Sequence, residues 1–255
     1  MVANYHTHTP RCNHAQGTEE EYVQAALKGA LKILGFSDHT PYIFPEGYYS
    51  SFRMKPGQLK DYTESVLNLR DRYKDQIEIH CGVEAEYYPL YFSDSLAFLR
   101  DSPVEYMILG QHFVGNEIHE PASSASTDSE EILSRYCRQT MEALNTGLYT
   151  YFAHPDLIRF TGDRKVYAKH IRQLCREAKS CRIPLEINLL GVHESRHYPY
   201  DYFWELAAEE GCQVIIGCDA HQPFALQNVE AEKKGMDLAR RYGLEVLETV
   251  TLRHI

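Results

Sequence analysis

VANYHTH, residues 2–8, decides how the chain is read. Val2, Ala3, Asn4 and Tyr5 make a short run of strand character, which breaks into His6 and His8, two imidazoles one residue apart. Successive side chains of a strand point to opposite faces, so His6 and His8 share a face and can converge on one ion. Alone, a His-x-His of this kind is weak evidence, since a histidine at a strand end is usually a satisfied structural residue.

The same transition recurs along the chain. Strand-like runs at 31–36, 77–83, 104–109, 148–153 and 213–218 lead into Asp38 and His39, Glu84, His112, His154, and Asp219 with His221. Another run covers 184–190. Except after this run, metal-binding side chains follow the C-terminal end each time, and independent placements multiply against the structural explanation. A polynuclear metal site is the expectation.

Helical patterns lie between the runs. Thr18 with Glu21 reads as a capping box, followed by Val23, Ala26, Leu27, Ala30 and Leu31 on one face. Leu59, Tyr62, Val66 and Leu69 repeat the pattern, Asp128 with Glu131 opens another helix, and further helices are predicted over 164–180, 201–210 and 224–241. Alternating strands and helices imply parallel strands, whose sites lie at their carboxyl ends. Every candidate ligand is there. Length alone also suits a doubly wound sheet, but 255 residues fit one nearly complete barrel as a single domain, 1–255.

Composition excludes several classes. A formal net charge of -10 disfavours a nucleic-acid partner, whose affinity draws on many Lys and Arg contacts to phosphate. No stretch approaches the roughly 20 apolar residues of a membrane span, and residues 2–5 enter a strand with no signal-peptide pattern, so a soluble cytoplasmic protein is expected. Seven cysteines, at 12, 81, 137, 175, 181, 212 and 218, form no CxxC pair, which argues against a disulfide framework. Two longer segments, about 40–57 and 113–127, interrupt the alternation. The first is aromatic and follows His39, so it either covers a planar substrate group or packs over the rim; the second is polar.

Taken together, YHTH at 5–8, SDH at 37–39, GVE at 82–84, GQH at 110–112, AHPD at 153–156 and CDAH at 218–221 resemble the polymerase and histidinol phosphatase superfamily in order and spacing. HTHTPRCNH, GFSDHTP, GVEAEYYP, HPDLIRF and EINLLG look like its histidinol-phosphatase branch. The resemblance implies an α/β fold, a distorted TIM-like (β/α)7 barrel, and a trinuclear site for zinc, manganese or iron. His6, His8, Glu84 and Asp219 would hold one ion, with Glu84 bridging to a second held by His112 and His154. His14, His39 and His221 would hold the third. The implied activity is hydrolysis of L-histidinol phosphate, a small-molecule phosphomonoester, to L-histidinol and phosphate in histidine biosynthesis.

Imidazoles suit zinc, manganese and iron, and a bridging carboxylate offsets repulsion between neighbouring cations. Two metals lower the pKa of a shared water, which then attacks phosphorus in line. Arg159, five residues after His154, and Arg196, in GVHESRHYP, are the expected phosphate ligands. Glu86 reads as substrate-facing or as support for a ligand, Asp38 and Asp156 as orienting neighbouring ligands, and His193 and His197 as candidates for substrate contact or proton relay. Other readings are a superfamily phosphoesterase for another substrate and a non-catalytic metal-binding module. An amidohydrolase shares the first His-x-His, but Asp219 followed by His221 fits the resembled superfamily.

Overall fold

The computed structural model describes residues 1–255, the side chain of Glu46 excepted. Among the described residues eight strands make one parallel sheet: β1 (Ala3–Asn4), β2 (Ile33–His39), β3 (Glu78–Ala85), β4 (Tyr106–Leu109), β5 (Tyr149–Phe152), β6 (Leu185–Asn188), β7 (Gln213–Gly217) and β8 (Glu245–Leu247). They lie side by side in chain order, so the sheet curls without the order reversal of a doubly wound fold.

The expected seven strands become eight through a short addition. β8 pairs with the first half of β7, from Gln213 to Ile215. Beyond that point the chain after β7 meets the chain after β1, through a parallel bridge between Thr7 and Ala220. His8 N donates to Ala220 O at 3.0 Å and Ala220 N to His6 O at 3.1 Å, which joins the segment after β1 to the segment after β7 at the carboxyl rim. Asn4 reinforces the seam: its Nδ2 donates to Thr7 Oγ1 at 2.8 Å and its Oδ1 accepts from Cys218 N at 2.8 Å.

The helices are α1 (Glu19–Lys28), α2 (Leu59–Tyr73), α3 (Phe92–Arg100), α4 (Glu130–Asn145), α5 (Arg164–Ser180), α6 (Leu189–Glu194), α7 (Asp201–Glu209) and α8 (Val229–Tyr242). The Thr18–Glu21 capping box is present on α1, satisfying N–H groups that the first helical turn leaves free. Elsewhere the boundaries move. α4 is capped by Ser129, whose Oγ accepts from Ile132 N, rather than by Asp128 with Glu131. The run at 184–190 yields a strand only to Asn188, because the Asn188 side chain accepts from Gly191 N at 3.0 Å and starts α6. α3 was not expected from the sequence, and the segment 224–241 divides into a 3-10 turn, Pro223–Gln227, and α8.

Two cores result. The larger lies between sheet and helices and includes Leu34, Phe36, Val66, Ile79, Val83, Leu174, Ile187, Trp204 and Ile216. The smaller fills the barrel interior with Ala3, Tyr5, Tyr106, Ile108, Tyr151, Ala153 and Ile215, partly covered by Val250 and Leu252 of the C-terminal segment. Burying each large apolar side chain contributes roughly 1.5–3 kcal/mol. The Tyr106 ring would be 2.3 Å from a Cβ on residue 82, so Gly82 of the GVE motif makes room for it. Among the described residues, no helix is long and apolar enough to cross a membrane.

Candidate metal centre

The structure brings all nine predicted ligands to the carboxyl rim. Glu84, near the end of β3, is the hub. Its Oε2 lies 3.5 Å from His6 Nε2, 3.5 Å from His8 Nε2 and 3.1 Å from His39 Nδ1, while Oε1 lies 2.8 Å from His154 Nε2 and 3.4 Å from His112 Nε2. Asp219 Oδ1 closes the same cluster at 3.4 Å from His6 Nε2 and 3.1 Å from His8 Nε2. To one side His14 Nε2 and His221 Nε2 face each other at 2.8 Å, and donor atoms of His14, His39 and His221 all lie within 4.8 Å of one another.

Several of these atoms are buried without a hydrogen-bond partner among the described residues: Nε2 of His6 and His8, Nδ1 of His39 and Oε2 of Glu84. Leaving a buried polar atom unsatisfied costs about 1–3 kcal/mol. Four such atoms converging on one spot are accounted for by cations, and three carboxylate or imidazole donors per group fit the coordination habits of zinc, manganese or iron. The residues present therefore fit a metal cluster.

Electrostatics divide the cluster. Burial pushes the His6 imidazole down, yet Glu186, Asp219 and Glu84 together raise it to about 10. At the opposite end burial and the neighbouring imidazole of His8 bring His221 down to about 3, and burial likewise holds His39 well below its ordinary value. Glu84 stays ionised, well below the ordinary carboxylate range, because His112, His39 and His6 outweigh its burial.

Two of the predicted ligands hold strained backbone. His154 has φ 32° and Asp219 φ 48°, left-handed values that non-glycine residues rarely adopt. Glu186 and Asn188, two residues apart on one face of β6, hold both. Glu186 Oε2 accepts from His154 N at 3.1 Å and Oε1 lies 2.8 Å from His6 Nδ1, while Asn188 Nδ2 bridges Glu186 and Asp219 at 2.9 and 3.1 Å. The sequence reading missed this pair. Its signal was the i, i+2 spacing that singled out His6 and His8.

Supporting contacts sort the remaining candidates. Asp38 Oδ1 lies 3.3 Å from His8 Nδ1, and Thr9 donates to its other oxygen, as expected of an orienting carboxylate. Asp156 does not orient a ligand: it accepts from Tyr200 N at 2.6 Å and Trp204 Nε1 at 3.0 Å, anchoring the start of α7, and burial raises its carboxyl to about 6. Glu86 does not face a substrate. It is fully buried, with Oε1 2.9 Å from His112 Nδ1, and Arg53 forks onto both its oxygens at 3.1 and 2.9 Å while also donating to Glu117. Arg53 thereby ties both long segments to His112.

A cavity of about 600 Å³ opens over the cluster. His14, His39, Glu84, His112, His154, Asp219 and His221 contribute to its floor, and Arg159 and Arg196 both reach it. Arg159 is exposed and its guanidinium has no partner among the described residues, whereas Arg196 donates to Tyr198 Oη at 2.8 Å and to Glu194. Among the described residues of the aromatic segment only Phe52 lines the cavity, 5.2 Å from the His39 ring; Tyr42 and Phe44 pack with Tyr88. His197 lines the cavity, its Nε2 2.8 Å from Leu157 O, but His193 lies outside it against Asn228.

A family model for the PHP domain matches residues 4–189, most of the chain. The chain belongs to the PHP domain family. A relative in Deinococcus radiodurans named "Probable histidinol-phosphatase" is 29% identical over 266 residues, covering 99% of this PHP chain and 97% of the relative. The histidinol-phosphatase of Lactococcus lactis is 22% identical, over 96% of this chain and 93% of its own. Among solved structures, the Lactococcus lactis histidinol phosphate phosphatase, complexed with zinc, L-histidinol and phosphate, aligns with TM-score 0.75 at 20% identity and covers 98% of each chain. At that identity the likeness concerns the PHP fold.

Proposed function

We propose that this PHP chain is a metal-dependent histidinol-phosphatase, a single domain over 1–255 that hydrolyses L-histidinol phosphate to L-histidinol and phosphate in histidine biosynthesis. The observation that carries the reading is the convergence of unpartnered, buried donors of His6, His8, His39 and Glu84 beneath an open cavity with an unengaged arginine at its rim. Relatives named for this activity, matched along nearly their whole length, support the substrate.

In this reading His6, His8, Glu84 and Asp219 hold one divalent ion, Glu84, His112 and His154 a second, and His14, His39 and His221 a third, each zinc, manganese or iron. Such ions lower the pKa of water and offset charge on a phosphoryl group. The chain's own residues do the rest. Glu186, Asn188, Asp38 and Glu86 fix the rings and carboxylates in place, so little reorganisation remains when substrate arrives. Arg159 offers a planar fork of N–H donors to the phosphoryl oxygens, and Arg196 offers a second once it leaves Glu194. Phe52 and Phe113 supply apolar surface to the cavity wall.

The test is phosphate release from L-histidinol phosphate by the purified protein, set beside phosphotyrosine, nucleotides and sugar phosphates. Metal is then stripped with a chelator and restored. Release that is selective for histidinol phosphate and follows the metal is expected. Turnover that is indifferent to chelation, or a preference for another ester, would defeat the assignment.

A further inference from the structure

We propose that Glu194 is the specificity residue of this site: it takes the ammonium group of an amino-alcohol phosphate while its present partner, Arg196, turns to the phosphoryl oxygens. The inference rests on the phosphatase reading and narrows its substrate class.

Three carboxylates line the cavity among the described residues, and two of them, Glu84 and Asp219, are engaged with the histidine cluster. Glu194 is the third, and it is at the rim. There it neutralises Arg196, whose Nε donates to Glu194 Oε2 at 2.8 Å and whose Nη2 lies 2.7 Å from the same oxygen. An acidic group beside a phosphate-binding arginine works against a simple phosphomonoester, because it cancels the cation and repels the dianion. It becomes favourable when the substrate brings its own positive charge, a few ångströms from the phosphorus. Exchange of partners then satisfies all four groups.

Local structure suits that exchange. Glu194 ends α6, Ser195 turns the chain with φ 55°, and Arg196 N donates back to Gly191 O at 3.0 Å, so both side chains project from one tight turn. Both contacts use Oε2, which leaves Oε1 outside the pair. The side chains are 41% and 47% exposed, and ion pairs so open to water contribute little and part readily. Tyr198 Oη, 2.8 Å from Arg196 Nη1, steadies the guanidinium after Glu194 lets go.

The experiment compares L-histidinol phosphate with 3-(imidazol-4-yl)propyl phosphate, the same ester without its amine. Near pH 7.5 an unperturbed imidazole, with pKa about 6.5, is mostly neutral while the amine is charged. For the metal-loaded protein, Glu194→Gln should lower kcat/KM for the aminated ester about tenfold, mainly through KM, and raise it for the amine-free ester. Glu194→Asp should retain most of the preference. By calorimetry, the Gln variant should bind L-histidinol about tenfold more weakly and inorganic phosphate more tightly. An unchanged ratio between the two esters in Glu194→Gln overturns the inference, whatever the absolute rates, and leaves the phosphatase reading intact. A wild-type protein that hydrolyses neither ester removes both.

Discussion

A Cβ atom on residue 217 would lie 1.8 Å from Oε1 of Glu186, so the glycine on β7 is what admits the buried carboxylate of β6. Gly217→Ala should force that carboxylate off His6 and strain the sheet. The expected cost is about 1–3 kcal/mol of stability, the usual range for overpacking, together with reduced metal content. Chemical denaturation and elemental analysis read the two effects; an alanine variant with full metal content and unchanged stability would contradict the account.

Glu186→Gln tests the carboxylate without the steric change. The amide can still accept from His154 N, but its charge no longer supports His6 as a donor. Metal affinity or turnover should fall about 10–100-fold, as for other groups that orient metal-binding histidines. Titration of the stripped protein with zinc or manganese measures this. Wild-type affinity would show that the contact between Glu186 and His6 is incidental.

Ligand and rim variants should separate cleanly. His154→Ala and Asp219→Asn are expected to depress turnover by 2 or more orders of magnitude, roughly, and to lower metal stoichiometry while circular dichroism still reports the folded barrel. Arg159→Ala should leave the stoichiometry unchanged and lower kcat/KM about 10–100-fold. Metal loss in the arginine variant, or its retention with full activity in the others, would reverse the assignments.

Acid stability depends on a pair remote from the cavity. Burial would raise the Glu105 carboxyl, but His80, the Cys81 amide and Arg70 outweigh it and bring it from 4.5 to about 2. Because the folded-state value is depressed, the stabilisation is complete above about pH 4.5 and disappears as pH falls through about 2. Glu105 is half-buried, so after solvent screening the contribution is about 1–2 kcal/mol. The stability gap between wild type and Glu105→Gln should therefore shrink from pH 7 to pH 3. A constant gap would rule out the linkage.

Much of the centre was legible in one dimension because strand geometry leaves a periodic trace. Each ligand-bearing run pairs a hydrophobic strand with polar residues just past its end, and parallel strands must present those ends on one side. Hence His6, His8, His39, Glu84, His112, His154, Asp219 and His221 could be gathered on paper. His14 and the two arginines lie in loops, which have no such period: family resemblance pointed to His14 and Arg196, and Arg159 was reached only from its place five residues after His154. Asp156 looked like a ligand's partner by proximity in sequence to His154, but its side chain turned away to the N–H groups of Tyr200 and Trp204.

By itself, then, the order of residues determined the alternation of strand and helix, the parallel sheet and the side on which the donors collect, because these follow from local periodicity and side-chain direction. Only the tertiary structure decided the rest: the seam between Thr7 and Ala220, the short eighth strand, the Arg53–Glu86–His112 chain, and the hold of Glu186 and Asn188 on two left-handed residues. Those depend on contacts between segments 26 to more than 200 residues apart. No local pattern encodes such distances, since it is the closing of the barrel that makes these groups neighbours.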